Sequence, residues 1–223
     1  RLNASRAWRM PILSDTEVFT KNRAERELPI DVTVLLDASA SRMQVQEQLA
    51  AEVWILAEAL KRCHVSSQML SFRSLRGYTV LERMKAFKDN DTSGLFGFYA
   101  AGWNRDGLGL RLAADELLRE GTGRKHILIV LTDASPDDLE RIAAGGKYPI
   151  GTAYEGAAAI EDTAEAVAEI RKNGILIYGL FLGRTANIEN LHRIYGKDQV
   201  RIHDISQFAK ACGELFAKAV NEL

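Results

Sequence analysis

The chain has 223 residues, 47% of them hydrophobic, which suits one well-buried domain. With 29 Lys and Arg against 30 Asp and Glu, the formal charge of −1 leaves no basic excess to neutralise a phosphate backbone, so nucleic acid is excluded as an expected partner. No apolar run reaches the ~18 residues of a membrane span and the first residues hold no hydrophobic signal core, so a cytoplasmic protein without a membrane partner is expected.

Residues 1–30 mix Arg, Lys and Glu with scattered Trp8, Met10, Ile12, Val18 and Phe19 and show no sustained period; they are expected to be an irregular lead-in from a longer protein, ahead of a domain over 31–223. The run Val32-Thr33-Val34-Leu35-Leu36 is almost continuously apolar, the pattern of a parallel strand covered on both faces, and it ends on Asp37. Over 44–62, Leu49, Val53, Leu56, Ala57 and Leu60 recur at three-to-four spacing, which predicts an amphipathic helix. Residues 68–72 and 78–81 flank Ser-Leu-Arg-Gly and predict an antiparallel hairpin at one sheet edge. Gly97, Gly102, Gly107 and Gly109 punctuate a loop carrying Trp103-Asn104-Arg105-Asp106 into a helix over 108–119.

A second buried strand is expected over 126–132, and it too ends on an aspartate, Asp133. Pro136 then opens a loop in which Asp137 and Asp138 are expected to be solvated, or else to bind a basic partner. Gly145, Gly146, Pro149, Gly151 and Gly156 mark 139–156 as a mostly irregular excursion. There follow a helix over 157–173 stopped by Gly174, a strand over 175–182, a helix over 187–195, a strand over 200–203 and a helix over 206–220 with Ser206 as its N-cap. Alternating strands and helices predict an α/β fold: an open, mostly parallel, doubly wound Rossmann-like sheet with helices on both faces and one antiparallel edge strand. In such sheets ligands bind beyond the carboxyl ends of strands where the strand order reverses, so Asp37 and Asp133 form one candidate site.

Asp37-Ala38-Ser39-Ala40-Ser41 places a carboxylate and two hydroxyls on alternate residues after a buried strand, where a turning backbone can aim all three at one point. Hard oxygen donors of this kind suit Mg²⁺, with Mn²⁺ or Ca²⁺ as substitutes. One carboxylate and neutral hydroxyls under-neutralise such an ion, and an acidic group from outside would supply the missing charge. A helix cap is the plainer use of such a loop, but two strand-end aspartates and a third, Gly-rich loop favour a cation.

Asp-x-Ser-x-Ser after an apolar strand, with a later strand ending Leu131-Thr132-Asp133, resembles the metal-ion-dependent adhesion site (MIDAS) of von Willebrand factor type A (VWA) domains. The resemblance implies Asp37, Ser39, Ser41 and Asp133 as metal ligands, with Asn104 or Asp106 at the second-loop position where the family carries Thr. The stretches 131–138, Tyr154-Glu155-Gly156 and Glu161-Asp162-Thr163 are similar to the carboxyl-terminal VWA domain of nitric-oxide-reductase activation proteins and of the related cobaltochelatase subunit. That likeness implies a metal-dependent protein-binding module whose partner is a MoxR-type AAA+ ATPase or its metalloenzyme client. Ala40 and Ala134 stand where Gly is usual, and Arg42 separates Ser41 from Met43, which usually follows the second Ser directly.

Arg42, Trp103 and Arg105 are candidate partner-binding residues if the loops converge, with solvated arginines and a core-covering tryptophan as the plainer readings. Glu161-Asp162-Thr163 is expected to serve the start of its helix. Cys63 and Cys212 are expected to be two buried thiols, and His64, His126, His192 and His203 share no zinc spacing, His126 being expected to pack. No catalysis is expected. A haloacid-dehalogenase-like phosphohydrolase using Asp37 would need a second carboxylate at position 39, which is Ser, and neither a GxSxG elbow nor a phosphate loop occurs. A metal-free scaffold of the same fold is the remaining alternative.

Overall fold

The computed structural model describes residues 30–123, 125–147 and 149–221; apart from Ile30, the expected lead-in lies outside them. Eight strands are described: β1 (Ile30–Asp37), β2 (Ser66–Leu75), β3 (Tyr78–Lys85), β4 (Lys125–Thr132), β5 (Asp138–Ile142), β6 (Thr152–Tyr154), β7 (Ile175–Phe181) and β8 (Gln199–Arg201). The five α-helices are α1 (Gln46–Arg62), α2 (Asp106–Glu120), α3 (Gly156–Lys172), α4 (Ile188–Tyr195) and α5 (Phe208–Asn221).

Every residue of β1 is buried because its two faces serve two layers. Val32, Val34 and Leu36 pack with Leu49, Val53 and Leu56 of α1 and with Phe208 and Leu215 of α5. Leu35 belongs to the opposite layer, with Leu110 and Leu117 of α2, Val167 and Ile170 of α3, and Leu191 of α4. The continuous apolar run is thus the signature of a strand with no solvent face. The main sheet has the order β3-β2-β1-β4-β7-β8, and β2 with β3 is its antiparallel pair. From β1 the chain moves to β2 on one side and later returns through β4 on the other. The strand order therefore reverses between β1 and β4, which run parallel with Leu36 beside Leu131, and this places the carboxyl ends bearing Asp37 and Asp133 next to each other.

Four local expectations are corrected. Residues 139–156 are not merely irregular: β5 and β6 form a separate two-stranded antiparallel ribbon, Asp138 facing Tyr154 and Ile142 facing Thr152. Five- and three-residue strands with a register shift between them carry no readable alternation. Asp138 is buried rather than solvated. Cys63 is exposed whereas Cys212 is buried, because α1 ends at Arg62 and Cys63 stands at its open end. The last helix is preceded by a short turn whose cap is Asp204, its carboxylate accepting from the Ser206 amide, so Ser206 is capped rather than capping. Gly174 does follow the end of α3, in the left-handed conformation at φ 78°. Among the described residues no helix is long and apolar enough to cross a membrane.

The helices reach the sheet closely enough to make side-chain size decisive. A Cβ on Gly109 of α2 would overlap the ring of Phe72 on β2. Gly109→Ala is therefore expected to destabilise the fold by about 1–3 kcal/mol through overpacking, outweighing the gain in helix propensity of about 1 kcal/mol. Urea unfolding checks this, and a midpoint at or above wild type would contradict it.

Candidate metal centre

Three loops meet above the β1/β4 reversal. In the first, Asp37 is fully buried; its Oδ1 accepts the Ser39 amide at 2.8 Å, while Oδ2 has no hydrogen-bond partner. Ser39 Oγ and Ser41 Oγ lie 3.0 Å apart. The alternate spacing thus brings the two hydroxyls together beside a buried carboxylate.

The second loop is fixed by main-chain bonds. Ala101 N–H donates to Ala38 O at 2.8 Å, Ala40 N–H to Gly102 O at 3.0 Å, and Ser74 and Trp103 exchange bonds of 2.7 and 3.0 Å. Gly102 makes the bend at φ 73°, where a side chain would be strained. Asn104 is buried; its Nδ2 donates to Asp106 Oδ1 at 3.0 Å and to Ser135 O at 3.4 Å, which commits the amide nitrogen and leaves the amide oxygen as the end free for a cation. Asp106, the first residue of α2, is buried behind Asn104. Asn104 and Asp137 exchange main-chain bonds of 2.9 and 3.0 Å, joining the second loop to the third.

In the third loop, Asp133 Oδ1 accepts the Ser135 amide at 3.2 Å. Thr132 Oγ1 accepts the Ala134 amide at 2.9 Å and holds Ala134 in the left-handed region at φ 52°. Two asparagines near the start of α4 pin this loop from the far side: Asn187 Nδ2 donates to Asp133 O at 3.0 Å, and Asn190 Nδ2 to Ala134 O at 3.1 Å. Sequence reasoning passed over both. Their three-residue spacing was visible, but nothing local tied it to a loop more than fifty positions earlier.

Arg42 is the largest departure from the expected rim. It is buried, not solvated, and its guanidinium lies between the two strand-end aspartates, with Nε 3.7 Å from Asp37 Oδ2 and Nη2 3.7 Å from Asp133 Oδ2. Its Nη1 donates to Leu182 O at 2.7 Å, whereas Nε and Nη2 have no hydrogen-bond partner. Burial is the main influence on Asp37 and, with Asp133 reinforcing it and Arg42 opposing, pushes its carboxyl up to about 6. Asp106 is pushed well above the ordinary carboxylate range, first by burial and then by Asp37 and Asp133.

Of the other candidates, Trp103 is part-exposed and borders the site, but Arg105 is drawn away, its guanidinium 4.7 Å from the centre of the Tyr154 ring. Tyr154 is itself anchored, donating to Asp162 at 2.8 Å and accepting the Gly107 amide at 3.1 Å. Asp162 also pairs with Arg111 at 2.8 Å, and Thr163 Oγ1 donates to Ala159 O at 2.7 Å; because α3 begins at Gly156, the Glu161-Asp162-Thr163 stretch lies inside the helix and serves the framework rather than the helix start. His126 is half-buried with Nδ1 3.6 Å from Asp31.

Two clefts open here. One of about 410 Å³ is lined by Ser39, Ser41, Trp103, Asn104, Asp133 and Ser135. The other, about 870 Å³, runs past Ser41, Arg42, Gln44, Asp133 and Arg184. Among the described residues no three His, Cys, Asp or Glu side chains converge as a metal-holding group. A cation here would instead rest on two carboxylates, Asp37 and Asp133, supplemented by hydroxyl and amide oxygens. The buried Asp37 Oδ2 without a donor fits such an ion, since an unpaired buried acceptor is unstable until a cation or a proton satisfies it.

No family model matches the chain. It is 25% identical over 219 residues to the uncharacterized protein YojO of Bacillus subtilis, a match covering 92% of this chain and 32% of YojO. It is 28% identical over 169 residues to protein NorD of Brucella abortus, covering 72% of this chain and 24% of NorD. The chain thus spans a third or less of the curated relatives it matches. Among solved structures, the pilus adhesin SpaC of Lactobacillus rhamnosus GG superposes with a TM-score of 0.63 at 14% identity, covering 87% of this chain and 30% of SpaC. The manganese-loaded TRAP protein of Plasmodium vivax gives 0.59 at 13% identity, covering 85% of this chain and 73% of TRAP. The vWF domain of the pilus tip protein Mfa5 of Porphyromonas gingivalis gives 0.54 at 12% identity, covering 87% of this chain and 96% of that domain.

Proposed function

We propose that this chain, a von Willebrand factor type A domain resembling NorD, is a divalent-cation-dependent protein-binding module. Asp37, Ser39, Ser41 and Asp133 would hold the cation, with Asn104 or Asp106 as the second-loop donor. The bound ion, Mg²⁺ or else Mn²⁺ or Ca²⁺, supplies an open coordination position for a partner's carboxylate. The observation that carries this reading is the buried Asp37 Oδ2 with no hydrogen-bond partner, beside two hydroxyls 3.0 Å apart. Among the structural relatives, TRAP is manganese-loaded.

The residues of the chain have separate tasks. Asp37 and Asp133 supply charge, and Ser39 and Ser41 supply neutral oxygens that keep the site short of anions. Trp103 is the partner-facing candidate, at the border of the smaller cleft, while Arg42 lines the larger cleft from a buried position between the two aspartates; Arg105, held on Tyr154, shapes the start of α2. A partner segment presenting one acidic residue fits this arrangement. By the resemblance to NorD we assign that segment to a MoxR-type AAA+ ATPase or its client, in the cytoplasm, and we assign no catalytic role to the chain. The cation-free scaffold is a second reading, favoured by the Arg42 guanidinium already standing between Asp37 and Asp133.

A pull-down using a MoxR-type ATPase as probe tests the reading, with wild type and Asp37→Ala each assayed in Mg²⁺ and in chelator. Capture by wild type in Mg²⁺ alone is the expected result. Equal capture in all four conditions would sink the cation bridge.

A further inference from the structure

Arg42 follows the two serines of the first loop by one residue, and the fold buries it. A long cationic side chain is rarely buried without being paired, and here the pairing is unusual. Both contacts to carboxylates are 3.7 Å, beyond hydrogen-bonding distance, and the guanidinium's hydrogen bond runs instead from Nη1 to the Leu182 carbonyl at 2.7 Å. Nε and Nη2, the two nitrogens facing the aspartates, satisfy neither their own donors nor Asp37 Oδ2. The guanidinium is therefore held near the site by charge and tethered from behind.

We propose that Arg42 is a resident counter-cation that competes with the divalent ion for Asp37 and Asp133 and must withdraw when the ion binds. The inference rests on the metal-binding reading above. An ion held by Asp37 and Asp133 would face a positive guanidinium that already lies 3.7 Å from an oxygen of each, in a place with little water to screen the repulsion. Direct ion–oxygen bonds outweigh contacts that never close to hydrogen-bond length, so the guanidinium is the group that yields. It has somewhere to go, since Arg42 itself lines the cleft of about 870 Å³ beside Gln44 and Arg184. Once moved there, its charge joins that of Arg184 at the edge of the site, where a partner's acidic segment would arrive. Cation binding and exposure of Arg42 then become one event. This gives the position after Ser41 a role in setting both cation affinity and partner charge preference.

The test is a calorimetric titration of Mg²⁺ and of Mn²⁺ into wild type, Arg42→Gln and Arg42→Lys, with ¹⁵N NMR of the Arg42 Nε–H in wild type as a readout that requires no variant. Arg42→Gln is expected to bind at least about tenfold more tightly than wild type, because a competing charge has been removed. Arg42→Lys, which keeps the charge, should stay within about threefold. Saturating Mg²⁺ should shift the Arg42 Nε–H resonance and speed its exchange with solvent. Equal or weaker binding by Arg42→Gln, or an Nε–H signal untouched by saturating Mg²⁺, would overturn the inference while leaving the metal site intact. Binding by Arg42→Gln alone would support the competition while removing the metal-binding reading for wild type. An absence of binding in all three proteins would instead remove the metal-binding reading, and this inference with it.

Discussion

Asp37→Asn is expected to abolish measurable Mg²⁺ binding and yet leave the cation-free domain more stable than wild type at neutral pH. The carboxyl of Asp37 is raised from 3.8 to about 6, so between those values the folded protein holds a proton that the unfolded chain releases. The contribution of Asp37 to stability is therefore full below about pH 4, is lost as pH rises through 6, and by pH 7 is lower by an amount on the order of 2–3 kcal/mol. The neutral amide escapes that penalty, and its oxygen can still accept the Ser39 amide. Thermal unfolding in chelator at pH 5 and pH 7.5 checks the sign: the gap between variant and wild type should widen at the higher pH. With saturating Mg²⁺ the order reverses, because only wild type gains stability from the ligand. The same proton competes with the ion, so wild-type affinity should fall by about tenfold per unit below pH 6. A variant less stable than wild type in chelator at both pH values would show that the buried charge is already fully compensated.

Gly102→Ala carries the other large effect. At φ 73° an alanine is strained by about 1–2 kcal/mol, and its Cβ would overlap the Ser74 carbonyl oxygen. That oxygen accepts the Trp103 amide, so relief of the overlap breaks the Ser74–Trp103 exchange and removes about 1 kcal/mol for each of its two bonds. The expected sum is a loss of roughly 3–4 kcal/mol in denaturant unfolding, together with at least about tenfold weaker Mg²⁺ binding as Asn104 is displaced. Wild-type affinity in a destabilised variant would show that the second loop contributes no ligand.

The sequence made the layered framework legible because burial on both faces leaves an unmistakable mark. The runs over 32–36 and 126–132 became β1 and β4, and the residues closing them became neighbours through the strand reversal. The hairpin edge was legible from the Gly-containing connection between its two runs, and the helix over 44–62 from the three-to-four spacing of its single buried face. What escaped notice depended on distant partners. Arg42 is buried because a carbonyl 140 positions later, on Leu182, accepts from it, and no local pattern encodes that. Asp138 is buried by a ribbon whose strands are too short to alternate. Arg105 looked like part of the rim because it sits between Asn104 and Asp106, yet Tyr154, supplied by β6, captures it. Spacing identifies groups that can converge; it does not tell which of them another segment will claim.

The main-chain bonds among the loops have one further consequence. Ala38, Ala40, Ser74, Asn104 and Asp137 are stitched together through residues 101–104, so three connections that look independent along the chain behave as a single stiff plate. Their conformational freedom is given up when the domain folds, not when a partner arrives, and docking on the plate then forfeits little entropy. Retuning this surface toward another target is accordingly a matter of exchanging the side chains that decorate it, at positions such as Trp103 and Ser135, with the underlying mesh left untouched.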